Sequence, residues 1–265
     1  MKKTYPTEFV FQTISLIVAI IVVHAIYVLL IRPQADSILA QQQAQMEVDP
    51  NYVQERSVFV IIRDFEQESC FVLMIWAMAI MAYKGRDTLR ERKLLQLDLV
   101  PVNEGTKILP EDAREYARQL ESLPDSEQRL LLPRALLSAL ARFRATRNIQ
   151  DVSTTAHAVA EAESERLDSE LSMVRYITWA IPSIGFIGTV RGIGDALAQA
   201  HRAVEGDIAG VTESLGVAFN STFIALLISI VLMFLLHQLQ LQQERLVLDT
   251  ETYLDRHLIQ HLQVS

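Results

Sequence analysis

Thr189 and Thr222 are the residues whose type and setting offer chemistry in this sequence, and the chemistry is hydroxyl chemistry at membrane depth. Thr189 sits in the apolar stretch Ala180-Ile-Pro-Ser-Ile-Gly-Phe-Ile-Gly-Thr-Val-Arg-Gly-Ile-Gly194. There Thr178, Pro182, Gly185, Thr189, Gly192 and Ala196 fall 4, 3, 4, 3 and 4 residues apart, which places them on one helical face. In the second stretch Ala218, Thr222, Ala225 and Ser229 recur at 4, 3 and 4, with Asn220 and Ser221 beside them. Small residues on one face let another helix backbone approach closely. The opposite face, with Ile184, Ile187 and Val190, suits lipid. A threonine hydroxyl can donate and accept, so it can solvate or relay a proton, but it cannot hold one as a carboxylate does. It can equally bond back to the carbonyl four residues earlier. Both uses are open at this point. The deep parts of the two stretches carry no acid, so a proton crossing there needs a titrating group from another chain. Arg191 and Asp195 are four apart and able to pair near the outer end, where Glu213 opens the second stretch.

These residues require long apolar helices. Half of the 265 residues are hydrophobic, and they are clustered. Phe9 to Ile31 is the first expected span, read as retained rather than as a leader, with His24 its only ionisable group. Val58 to Tyr83 is the second; a helix beginning near Val58 would put Arg63, Asp64, Glu66 and Glu68 at the interface. Val174 to Ala198 is the third and Glu213 to Leu236 the fourth. The short link from Gln199 to Thr212 makes the last two an antiparallel hairpin. Lys2 and Lys3 precede the first span and Lys84, Arg86, Arg90, Arg92 and Lys93 follow the second, so both ends are expected on the cytoplasmic side. The polar stretch from Gln34 to Gln54 is then outside and ends in a turn at Asp49-Pro50-Asn51.

The remainder reads as helical. Pro110-Glu-Asp-Ala and Pro124-Asp-Ser-Glu are helix starts. Ser126 to Arg147 repeats Leu and Ala at helical spacing, and Asp151 to Met173 is expected to run straight into the third span. Gln238 to Gln263 continues the fourth, with Leu239, Leu246 and Tyr253 seven apart for bundle packing. The expected fold is all-α, with four membrane helices and helical cytoplasmic extensions. Its parts are a first hairpin (1–83), a cytoplasmic segment (84–173), a channel hairpin (174–237) and a tail (238–265).

Several functions are disfavoured. A net charge of −8 with no basic stripe argues against nucleic acid. The glycines from 185 to 194 lack the Lys-Ser/Thr of a phosphate loop. Cys70 is the only cysteine, and the histidines, including His257 and His261 four apart, show no ligand pattern with carboxylates. No nucleophile motif is visible, so no enzyme, cofactor or metal is expected. Lack of an internal repeat of broken spans makes a solute transporter a weak reading.

Gly185-Phe-Ile-Gly-Thr-Val-Arg-Gly-Ile193 and Ala218-Phe-Asn-Ser-Thr-Phe-Ile-Ala-Leu-Leu-Ile-Ser-Ile230 resemble the third- and fourth-span signatures of the MotA/TolQ/ExbB proton-channel family, over roughly 181–236. The resemblance implies a stator-like inner-membrane subunit, a homopentamer around two copies of a single-span partner of ExbD/TolR/MotB type, whose membrane aspartate carries the proton. By position it implies Thr189 and Thr222 as pore-ring hydroxyls, beside Ser221 and Asn220. Pro182, Gly185, Gly188, Gly192, Ala218 and Ala225 would serve packing and partner approach, and Arg191, Asp195 and Glu213 would be outer-mouth charges. The sequence departs from the family pattern at Val217, where transport-energising members carry a glutamate, and at Arg191, usually apolar or aromatic. A non-conducting oligomeric scaffold is the rival reading.

Overall fold

A computed structural model of the chain describes residues 7–48, 52, 57–101, 107–206 and 208–264. It is 86% helical, and among the described residues there is no strand. Four helices are long and apolar enough to cross a membrane. The Asp49-Pro50-Asn51 turn, Lys2 and Lys3 lie outside the described residues. The chain divides into two compact units, Met1–Met81 with Met173–Leu236, and Ala82–Ser172 with His237–Ser265.

In the first unit α1 (Thr7–Ile26) and α2 (Arg32–Val48) are joined through a π-turn at Tyr27–Ile31. Its cause is Pro33, which has no N–H for the Leu29 carbonyl and whose ring crowds it. The turn widens, and the Arg32 N–H bonds Tyr27 instead. The helix thus continues past the expected span into the polar stretch. The second span starts later than expected. Val58–Ile61 is a separate turn, α3, and α4 (Phe65–Leu94) begins after Asp64, whose carbonyl accepts the Glu68 N–H at 3.1 Å. Glu66 and Glu68 therefore occupy the first turn of α4, where the helix dipole favours acids.

The second unit holds the last turns of α4, followed by α5 (Ala113–Glu121), α6 (Asp125–Gln128), α7 (Leu131–Thr146) and α8 (Ile149–Glu170). The helix starts at Pro110 and Pro124 are found as α5 and α6. The single helix expected over Ser126 to Arg147 is two, α6 and α7, because the chain turns at Arg129 and Leu130. Pro133 lies in the first turn of α7, where its missing N–H costs nothing. Arg147 leaves α7 in the left-handed region at φ 51°, and Asn148 caps α8 by accepting the Gln150 N–H at 2.9 Å. Leu136, Ala139, Leu140 and Phe143 of α7 form a core with Val152, Ala156, Leu254 and Leu258.

α9 (Ser172–Ala198) follows α8 after one non-helical residue, Leu171, rather than as the uninterrupted helix expected. A short α10 (Ala200–Val204) lies in the link to α11 (Ala209–His257). The tail helix ends at His257, not near Gln263. Beyond a 3-10 turn at Ile259–His261 the chain is extended, and Leu262 bridges Ile108, with Ile108 N–H to His261 O at 2.8 Å and Gln263 N–H to Ile108 O at 3.0 Å. His257 and His261 consequently share no helical face. Leu239, Leu246 and Tyr253 are all buried, as bundle packing requires.

Candidate ion pathway

α9 and α11 pack as an antiparallel hairpin in the first unit, and glycine lets them do so. A Cβ on Gly192 would come within 2.8 Å of the Ala218 Cβ and 2.7 Å of the Ser214 carbonyl. One on Gly188 would meet the Ser221 Cβ at 2.5 Å, and one on Gly185 would overlap Ala225. Ala218 and Ala225 are fully buried at these crossings. Ile187 and Val190, on the other face, are 60% and 57% exposed, as lipid-facing residues should be.

At the centre of the hairpin the two threonines meet, their Oγ1 atoms 2.5 Å apart. Thr189 Oγ1 donates to the Ala218 carbonyl at 2.9 Å, and Thr222 Oγ1 donates to the Gly185 carbonyl at 2.9 Å. Each hydroxyl thereby bonds the carbonyl lying four residues before the other threonine. The ordinary back-bond is the longer one, Thr189 to its own Gly185 at 3.4 Å. Two hydroxyl protons thus serve three short contacts: one to each carbonyl and one between the hydroxyls. Such a ring can exchange donors by rotating two C–O bonds. Both threonines are half-buried.

The neighbouring polar residues divide. Ser221 is buried and bonds back to Val217 O at 2.9 Å. Asn220 is half-buried, and its side chain makes no hydrogen bond among the described residues. Pro182 cannot supply the N–H that the Thr178 carbonyl would receive in a regular helix. Ser229 Oγ of α11 supplies a donor instead, at 3.2 Å.

The charges at the end of the hairpin nearest the α9–α11 link are arranged differently from the expectation. Arg191 does not pair with Asp195; it forms a two-point bridge to Glu66, with Nε–Oε1 and Nη2–Oε2 both 2.8 Å. A planar guanidinium matches a carboxylate better than one turn of helix would allow. Asp195 and Glu213 are exposed. The Glu66 side chain also lies against Gly188. Glu68, buried, is held by His24 Nδ1 at 2.7 Å and Arg32 at 2.5 Å. His24 is thus bonded to a neighbouring helix, as a histidine in a span should be. Sequence reasoning assigned no partner to Glu66 or Glu68; the available signal was two acids opening an otherwise apolar helix. Neither lies on α9 or α11. No cluster of three metal-binding side chains occurs among the described residues.

No curated protein and no solved structure matches the chain. A family match does cover residues 127–252, from α6 through most of α11, with the whole threonine seam inside it. It extends well beyond the stretch of motif resemblance, taking in α7, α8 and much of the tail helix. The family is one of channels rather than enzymes. Residues 127–252 are thus similar to the MotA/TolQ/ExbB proton channel family, and that match together with the four apolar helices supports a multi-pass membrane protein of proton-channel type.

Proposed function

We propose that this chain is the channel-forming subunit of a stator-like complex in the bacterial inner membrane, coupling proton flow to mechanical work or energised transport. The observation that carries the reading is the reciprocal threonine pair, with two protons shared among three short contacts in a glycine-packed hairpin. Ser221, by contrast, bonds back within its own helix. In this reading several copies, five by family likeness, surround a single-span partner of ExbD/TolR/MotB type. The partner's membrane carboxylate takes up and releases the proton beside Thr189 and Thr222, with Asn220 as a further polar contact. α9 and α11 supply no acid at that depth, which is why the partner must. Both termini and the second unit are cytoplasmic, with Arg191, Asp195 and Glu213 at the outer mouth.

A non-conducting scaffold is the second reading, favoured by the fact that both hydroxyls are satisfied inside the hairpin. Two measurements separate them. Thr189→Val and Thr222→Val should each abolish proton flux in vesicles holding the complex while leaving its native mass unchanged; undiminished flux refutes the pathway. Mass spectrometry of the detergent-solubilised complex should find a single-span partner with a membrane aspartate, about two copies to five from the family likeness. A homo-oligomer without that partner supports the scaffold.

A further inference from the structure

The second unit contains a basic groove that the ion pathway does not use. It is an open groove of about 900 Å³ between the last turns of α4 and the end of α11, lined by Arg86, Arg90, Arg92, Lys93 and Arg256. Asp249 is its only carboxylate. Its sign is thus opposite to the chain's net charge of −8. Arg92 approaches Asp249 at 3.9 Å, and Arg90 approaches Glu127 at 3.9 Å. Arg86, Lys93 and Arg256 have no carboxylate within ion-pair distance among the described residues. Basic residues just after a span are ordinary topology signals, which accounts for Arg86 to Lys93. That rule does not account for Arg256, which the fold brings in from the far end of the chain.

The groove also has a flat wall. The Tyr253 and His257 rings are stacked, with centroids 4.1 Å apart and planes inclined by 14°. Tyr253 is buried and fixed at both ends of its hydroxyl, which donates to Leu97 O at 3.2 Å and accepts the Leu99 N–H at 3.0 Å. His257 is exposed and held by Nδ1 donating to Tyr253 O at 3.2 Å. One imidazole face is covered by tyrosine, and His257 is itself exposed and lines the groove.

We propose that this groove binds a nucleoside phosphate, with Lys93, Arg256 and Arg86 on the phosphate oxygens and the base stacked on His257. Guanidinium forks and an ammonium suit phosphate, and several unpaired cations converging on one groove call for a ligand with more than one negative charge. The volume falls within the range of small-molecule sites, about 300–1,000 Å³. An anionic lipid headgroup offers the same phosphate chemistry but leaves the stacked rings without a role.

The test uses the full chain in nanodiscs of zwitterionic lipid, titrated calorimetrically with ATP and, separately, with pyrophosphate. Nanodiscs containing phosphatidylglycerol test the lipid source. ATP should bind more tightly than pyrophosphate. Lys93→Ala and Arg256→Ala should each weaken ATP about tenfold, the usual effect of losing one charge-assisted bond. His257→Ala, at an exposed position, should remove the advantage of ATP over pyrophosphate and leave pyrophosphate binding as it was. Asp249→Asn should tighten both ligands. The proposal is overturned by no saturable ATP binding, by equal affinity for ATP and pyrophosphate in the unmutated chain, by ATP binding that none of these variants alters, or by association with phosphatidylglycerol alone.

Discussion

The bond from Ser229 to the Thr178 carbonyl predicts a specific non-additivity. Pro182 leaves that carbonyl without its regular helical donor, and Ser229, only 5% exposed, supplies one from α11 at 3.2 Å. Ser229→Ala therefore leaves a buried carbonyl unsatisfied, at a cost of about 1–3 kcal/mol. Interhelical bonds measured in membranes average about 0.6 kcal/mol and reach about 1.7, so a loss near 1.5 kcal/mol is expected for a carbonyl with no alternative donor. Pro182→Ala restores the missing N–H at residue 182. In that background the carbonyl is paired within α9, and Ser229→Ala should cost about 0.5 kcal/mol or less, as for a hydroxyl whose acceptor is already satisfied. The coupling between the two positions should be about 1 kcal/mol. The assay is the unfolding free energy of the four proteins of the cycle, measured reversibly in bicelles. An equal cost of Ser229→Ala in both backgrounds would refute the argument, because the proline would then have nothing to do with the role of the serine.

Other consequences follow from packing and from charge. Gly188→Ala should destabilise the hairpin by about 1–3 kcal/mol through overpacking against Ser221, and Ser221→Gly in the same chain should recover most of it in thermal unfolding. In the second unit Glu163 is buried, and burial alone would raise its pKa, but hydrogen bonds from Arg166 and Arg134 outweigh this and hold it below the usual range. A depressed carboxyl contributes stability above the unfolded pKa of about 4.3 and loses it as pH falls through the folded value. Glu163→Gln should therefore cost about 1–2 kcal/mol at pH 7, because Arg134 and Arg166 are themselves nearly half-exposed and can be re-solvated, and little in strong acid. Glu91 has the opposite sign. Burial raises its pKa, against a Leu131 N–H that bonds its carboxylate at 3.0 Å. Its contribution is favourable below the unfolded pKa and is lost as pH rises through the folded one. Glu91→Gln, which keeps an acceptor for Leu131, should raise the melting temperature at pH 7, and a lowered one refutes the assignment.

What could be read from the sequence depended on whether the relevant interaction was local or repeated. The hairpin was legible because its small residues recur at helical spacing over about eight turns of two adjacent segments, and each repeat restates the same face. That spacing also placed the threonines on the facing sides, but not their bonding. Only three-dimensional proximity shows that each takes the other helix's carbonyl. Arg191 illustrates the limit. Counting along a helix offered Asp195, whereas a carboxylate from α4, far away in sequence, gave a two-point bridge that one helical turn cannot. The basic groove was illegible for the same reason. The run from Arg86 to Lys93 stood out as basic, but no window of sequence contains both Lys93 and Arg256, so nothing showed that they meet in one groove. The break at Leu171 escaped because its neighbours are good helix formers and no glycine or proline marks it, and the one at Arg129 and Leu130 is marked only by Pro133, in the first turn of the helix that follows. Pro182 stands inside an unbroken α9, as the expected third span required, although a proline in a helix interior ordinarily kinks or breaks it. The helix survives there because a serine on α11 takes over the orphaned carbonyl. The small-residue face that allows close approach is thus also what allows a proline at membrane depth.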